Sequence, residues 1–171
     1  MYNQTFYDPQ FNLLYVFVSP QTEKKGLSKL SSFSSDEAGF TNIILWDIPK
    51  KQKKAIFAPQ ELSKDEHVTH LLFETGYNAA ENKRLFNSEA YIFNNRPLTP
   101  REPVNKMLIA THHRSNKQTT LWFSDKFGLE KFKIATFSDA ASWHLDVQNG
   151  DIRIIEQLDN DIKVLELRWY L

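Results

Sequence analysis

The sequence predicts an all-β fold built mainly as an antiparallel meander, and three stretches carry that expectation. Residues 42–58, 119–137 and 151–169 each hold a short apolar-aromatic run, a polar turn and a second apolar run of similar length. Alternating Val, Ile, Leu, Phe, Trp and Tyr across a short turn is the sequence form of a β-hairpin, because successive strand side chains point to opposite faces.

Taken in order, 11–18 (FNLLYVFV) is the first strand, bounded by polar residues and Pro20. The Ser-rich segment Thr22 to Gly39 predicts a long loop with one helical turn after Ser35-Asp36. Strands at 41–48 and 53–58 flank a lysine-rich turn, and β-branched, apolar residues predict another at 67–74. Gly76 to Arg84 (GYNAAENKR) lacks strand alternation and reads as a short helix or protruding loop, so the fold holds at most one or two short helices. After a strand at 89–94, the segment Asn95 to Pro103 carries three prolines; each lacks a ladder donor, which makes it a connection. Strands follow at 105–113, 118–124, 130–137, 142–147, 151–157 and 161–170. Asn149-Gly150 predicts a type I′ turn, since both residues tolerate positive φ, and Asp159-Asn160-Asp161 makes the next turn. The resulting meander from Ser142 to Tyr170 draws apolar faces from Ile152, Ile154, Leu165 and Leu167, and its last strand is an edge or the closing strand of a sheet.

A chain of 171 residues, 41% hydrophobic with thirteen Phe, six Tyr and four Trp, has the apolar volume for one core, and a single antiparallel β domain is expected across 1–171. Its 21 basic and 21 acidic side chains cancel, which removes the whole-molecule field that drives nonspecific nucleic-acid or anionic-membrane binding. From Asp139 onward the balance is −4 and over the first 138 residues +4, a modest dipole that favours oriented docking or self-association through opposite ends. The absence of cysteine excludes disulfides, thiolate catalysis, cysteine zinc sites and iron–sulfur clusters. The first twenty residues hold no basic n-region, and the apolar run Leu13 to Val18 is too short for a membrane span. These features do not fix the compartment: it is cytoplasmic, or periplasmic or otherwise extracytoplasmic if an anchor precedes Met1 in a longer protein.

The aromatic centres Tyr15, Trp46, Tyr91 and Trp122, continued at Ile154, recur at roughly 35 residues, near the length of a propeller blade. Leu45-Trp46-Asp47 and Leu121-Trp122-Phe123-Ser124-Asp125 resemble the strand before the outer turn in degenerate blades of TolB-like and WD40-like β-propellers. The resemblance implies a partial or small propeller of about four blades. The spacing is uneven and no Gly-His dipeptide opens a blade; a β-sandwich or curled sheet accounts for the same hairpins.

Few residues point to chemistry. His67 and His70 have a metal-compatible spacing on a helix, but on a strand positions i and i+3 face opposite sides, and His144 is isolated. No Gly-x-Ser-x-Gly or Ser-x-x-Lys context occurs, and five glycines leave no room for a phosphate loop or dinucleotide fingerprint. No catalytic, metal or cofactor site is therefore assigned. The four tryptophans lie in apolar runs, which favours core over a sugar-stacking platform. The run from Lys50 to Lys54 sits at a turn, where lysines either contact an acidic partner or keep an edge strand from pairing.

These readings lead to a non-enzymatic β-sheet domain that recognises a protein or cell-envelope component, as the soluble part of a larger bacterial assembly. Its candidate contacts are Lys50, Lys51, Lys53 and Lys54 of the lysine turn, Tyr77 and Arg84 of the 76–84 segment, and Arg96 and Arg101 of the proline-rich connection. The alternative is a hydrolase or carbohydrate-active domain with a cleft site; nucleic-acid binding through Lys50 to Lys54 ranks below both.

Overall fold

A computed structural model describes residues 4–19, 39–88, 90–92, 97–147 and 149–169. Among them are thirteen strands and no helix. Strands β1 (Thr5–Asp8), β2 (Leu13–Val18), β3 (Asn42–Asp47) and β4 (Gln52–Ala55) form a four-stranded meander. The next six are β5 (Glu66–Asn78), β6 (Lys83–Phe86), β7 (Ala90–Ile92), β8 (Met107–His113), β9 (Gln118–Ser124) and β10 (Phe132–Ser138); they make a sheet of order β10-β9-β8-β5-β6-β7. Strands β11 (Ala141–Asp146), β12 (Asp151–Gln157) and β13 (Ile162–Arg168) form the third sheet, and every pairing in all three is antiparallel. The sheets are open, as a sandwich or curled-sheet arrangement requires.

The six-stranded sheet is the middle layer, and its sequence explains why. One face sends Val68, Leu71, Phe73, Met107, Ile109 and Trp122 against Leu13, Tyr15, Phe17, Ile43 and Leu45 of the first sheet. The other sends Leu72, Leu108, Ala110 and Leu121 against Leu145, Ile152 and Ile154 of the third. A strand buried on both sides needs apolar residues at consecutive positions instead of alternate ones. Leu71-Leu72-Phe73 and Met107-Leu108-Ile109-Ala110 supply them. The outer sheets are buried on one side only, so β2 alternates in burial along its whole length. Trp122 and Trp169 are buried, while Trp46 and Trp143 are half-buried, which places the tryptophans in or against the packing layers.

Five hairpins share one turn. Asp8, Asp47, Asn78, His113 and Asp146 each end a strand, and four residues later the loop closes on Asn12, Lys51, Asn82, Lys117 or Gly150, all with φ between 50° and 75°. In each, the opening side chain accepts a backbone N–H two or three residues on, from Gln10, Lys50, Glu81, Asn116 and Asn149. The side chain thereby satisfies a loop donor that no strand partner reaches.

Several expectations need correction. Gly76 to Arg84 is neither helix nor loose loop: β5 runs on to Asn78, the capped turn spans 79–82, and β6 begins at Lys83. Alternation is hidden there by a bulge between Glu74 and Gly76. Strand β1 was not expected, because its residues TFYD carry only two apolar side chains and its pairing comes from β2. The second strand of the lysine hairpin is Gln52–Ala55; beyond it Ile56, whose N–H still donates to Ile43 O at 2.9 Å, and Phe57 enter the core. Asn149-Gly150 does not make a type I′ turn, since only Gly150 has positive φ and its N–H bonds Asp146 O at 2.8 Å across a four-residue loop. The aromatic spacing does not mark one sheet per repeat: Tyr15 and Trp46 share the first sheet, and Tyr91 and Trp122 the second. The segment Thr22 to Gly39, with its helical turn, lies outside the described residues except for Gly39. The predicted connection, Asn95 to Pro103, holds over its described residues 97–103 and runs on to 106, because β8 begins at Met107 and not at 105.

Two outcomes follow from the turns. Lys117→Gly relieves a left-handed backbone at an exposed position, and chemical denaturation should show a gain of about 0.5–1 kcal/mol. Burial raises the Asp146 carboxyl, but hydrogen bonds from the Asn149 side chain and backbone and from Arg153 outweigh it and hold the pKa at about 2. A depressed folded-state pKa contributes stability that is fully present above the unfolded value of 3.8 and lost as the pH falls through about 2. Stability measured from pH 6 to pH 2 should therefore fall less steeply in Asp146→Ala than in the parent protein.

Candidate functional site

The densest polar constellation lies where the first sheet, the middle sheet and the 97–106 connection meet. Lys126, in the turn after β9, is fully buried, and so are its ion-pair partner Asp8 at the end of β1 and Glu74 on β5. The Lys126 ammonium donates to Asp8 Oδ1 at 2.9 Å, Gln10 Oε1 at 2.8 Å and the Glu74 carbonyl at 2.7 Å, which uses all three N–H bonds. It also lies 5.7 Å from the Phe11 ring centre and 5.5 Å from that of Phe73. Burial pulls its pKa below the ordinary lysine range, against the hydrogen bond and charge of Asp8 and the charge of Glu74, which push it upward. The buried Tyr15 hydroxyl donates to Lys126 O at 2.7 Å; burial, then the charges of Asp8 and Asp125, raise its pKa.

Glu74 holds a second set. Arg101 Nη1 contacts its two carboxylate oxygens at 3.1 and 2.8 Å, Arg84 Nη1 lies 3.4 Å from Oε1, and the Val104 N–H donates to Oε2 at 3.1 Å. Arg84 also donates to Thr99 O and stacks its guanidinium over the Tyr77 ring at 5.1 Å. A carboxylate this buried needs such donors, because an unpaired charge away from water costs several kcal/mol.

Together these bonds fix the 97–106 connection, which has no ladder of its own. The Leu98 N–H donates to Asn82 Oδ1 at 2.7 Å, and the Tyr77 hydroxyl to Leu98 O at 3.4 Å. Gln10 Nε2 donates to Pro103 O at 2.7 Å, and the Lys126 N–H to Asn105 Oδ1 at 2.9 Å. Pro97, Thr99, Pro100, Glu102 and Asn105 remain exposed. The neighbouring turns join by contact: Gln10 reaches Pro103, Phe11 packs on Phe127 at 5.0 Å, and Lys50 lies 5.9 Å from the Phe127 ring centre.

Of the sequence-derived candidates, Arg84 and Arg101 thus converge on Glu74, Tyr77 stacks against Arg84, and Arg84 is almost wholly buried there. The lysines are dispersed. Lys50 pairs with Asp47 at 3.6 Å, Lys51 is the positive-φ residue of its turn, and Lys53 stands opposite Trp46. Lys54 donates to Gly128 O at 3.0 Å. Strand β4, which carries Lys53 and Lys54, is the edge of its sheet, where lysines oppose pairing with another chain. Arg96 lies outside the described residues. Sequence reasoning missed Asp8, Glu74 and Lys126; their only sequence signal is a charged residue at the end of an apolar run.

The histidines lie at the other end of β5. A bulge between Val68 and His70 puts His67 opposite His112 and His70 opposite Ala110, so both fall on one face, contrary to simple alternation. His112 Nε2 is 3.0 Å from both oxygens of Asp139, and burial followed by the charge of Arg114 lowers the His67 pKa. Among the described residues no group of three His, Asp or Glu side chains could hold a metal ion. A cleft of about 320 Å³ opens between β10 and the third sheet, lined by Ala135, Phe137, Ile154, Glu156, Lys163 and Leu165 among others. Among the described residues no helix is long and apolar enough to cross a membrane.

Replacing Lys126 by Met strands the Asp8 carboxylate in a dry site and should cost about 3–5 kcal/mol in chemical denaturation. Asp8→Asn combined with Lys126→Met should cost measurably less than the two single changes added together; strict additivity would show that the pair is not coupled. Compared with protein-family models, curated proteins and solved structures, the chain has no match.

Proposed function

We propose that this protein is a non-enzymatic recognition domain for a protein or cell-envelope component, and that its contact surface is the 97–106 connection with the adjoining turns at 9–12 and 79–82. The observation that supports this reading is the pinning of an irregular, proline-containing segment from at least four directions while Thr99, Pro100 and Glu102 stay exposed. Ordering a loop before the partner arrives removes much of the entropy cost of binding, and a rigid scaffold under exposed loops is a common arrangement for recognition. Face-to-face stacking of successive antiparallel sheets is also how propeller blades pack, so the likeness to blade repeats belongs to this reading as a run of blade-like sheets. The soluble part of a larger bacterial assembly is the setting in which such a domain would act.

The test is affinity capture from lysate and envelope fractions, followed by measured binding of the captured protein. Thr99→Ala, Pro100→Ala and Glu102→Ala together should weaken that binding at least tenfold, as about 1.4 kcal/mol of lost contact implies, with the unfolding midpoint unchanged. Unaltered binding by the triple variant would remove the connection from the contact surface.

A further inference from the structure

Among the described residues one ion pair is wholly shut off from water: the Lys126 and Asp8 side chains are each 0% exposed, and every other pair keeps at least one member partly accessible. Two opposite charges in so dry a place can cost more in lost hydration than their attraction returns. Glu74 faces the same cost beside Arg84 and Arg101, but a guanidinium stays charged in proteins and is a poor nucleophile. The amine of lysine differs. It can give up its proton, and burial already pulls the Lys126 pKa below the ordinary lysine range.

The hydrogen bonds around the pair aim the amine. The ammonium donates to Asp8 Oδ1, Gln10 Oε1 and the Glu74 carbonyl. When the proton on the first of these bonds passes to Oδ1, the other two N–H bonds still point at Gln10 and Glu74, and the nitrogen lone pair is left directed at the Asp8 carboxyl. Asp8 Oδ2, by contrast, is buried and has no hydrogen-bond partner. A charged carboxylate oxygen is costly in that position, and a neutral amide carbonyl costs less. The rings of Phe11 and Phe73, centred 5.7 and 5.5 Å from the nitrogen, flank it with apolar surface.

We propose that Lys126 and Asp8 become joined by an isopeptide bond, an amide between Lys126 Nζ and Asp8 Cγ that forms within the folded chain. The ion pair is the reactant and holds every atom that the step needs. Nζ attacks Cγ and the Cγ–Oδ1 bond breaks. Oδ1 leaves as water with two of the three ammonium protons, the third stays on the amide nitrogen, and Oδ2 becomes the carbonyl oxygen. The two charges vanish together, and nothing is oxidised or reduced. Holding amine and carboxyl against each other supplies the driving geometry, since well-oriented intramolecular partners react as if present at about 10⁵ M or above. The product ties the end of β1 in the first sheet to the turn after β9 in the middle sheet, which braces two layers covalently across 118 positions of chain.

Mass spectrometry of the full chain, incubated folded and then denatured, tests this directly. The chain should be lighter than its sequence by one water. A tryptic digest should yield a branched peptide that joins the segment around Asp8 to the segment around Lys126, with no cleavage after Lys126. The branched peptide is decisive because aspartyl residues elsewhere also lose water by closing on the following backbone N–H. Asp8 has no such route, since Pro9 follows it and carries no N–H. Asp8→Asn should reach the same branched product by losing ammonia, and Lys126→Arg should keep its full mass. A folded parent chain that retains its full mass on prolonged incubation, a lost water that maps to any other site, or the same loss in Lys126→Arg would each overturn the proposal. Should the variants fail to fold, the mass and digest of the parent chain decide.

Discussion

An ammonium group without access to water must place each of its three N–H bonds on an acceptor, and Lys126 places them on two separate stretches of chain. Asp8 ends β1, Gln10 lies in the turn that follows, and the Glu74 carbonyl belongs to β5 in the next sheet. The first and middle sheets are therefore joined by a charge as well as by apolar packing, and the two differ in kind. Apolar side chains can slide against one another at little cost, whereas a buried ion pair tolerates almost no displacement before its attraction fails to offset desolvation. Placed at the margin of the inter-sheet core, Lys126 fixes the relative setting of two layers that burial alone would leave free to shift.

The same logic runs through Glu74, whose backbone accepts from Lys126 while its side chain gathers Arg84, Arg101 and the Val104 N–H. Both faces of β5 are committed to packing layers, so its polar residues at the far end are the only ones able to reach the connection that crosses there. Leu98 and Val104 of the connection pack against the second core cluster, and these donors and acceptors hold the backbone around them. The order at 97–106 is thus tied to charge buried beneath it, and the proposed recognition surface rests on that order.

Burying both faces of the middle sheet has a further consequence at the periphery. Layers stacked in this way expose their edges, and each outer edge must be shortened, charged, bulged or covered. Shortening is visible at β1 and β4, charge at β4 and at β13 with Lys163, Glu166 and Arg168, and a bulge at β10.

The all-β class, the hairpins and most strand positions were legible in the sequence, because the period-2 apolar pattern of β2, β3 and β12 reflects one buried face, a local property. The continuous runs at 71–73 and 107–110 showed strands without showing that they occupy the centre of a three-layer stack, since a run of apolar residues does not say what covers each side. Bulges at Thr69 and Thr75 escaped detection and with them the facing of His67 and His70 and the path of β5 beyond Glu74, because one inserted residue inverts every later position. Arg84 and Arg101 were identified as candidates from their loops, but their convergence on Glu74, and the whole of the Lys126 cluster, joins residues up to 118 positions apart. What sequence alone determined is the local alternation that makes strands; which charges meet, and which edge stays open, was decided only by the tertiary stacking, because pairing of distant ionic groups depends on desolvation that exists nowhere but in the folded molecule.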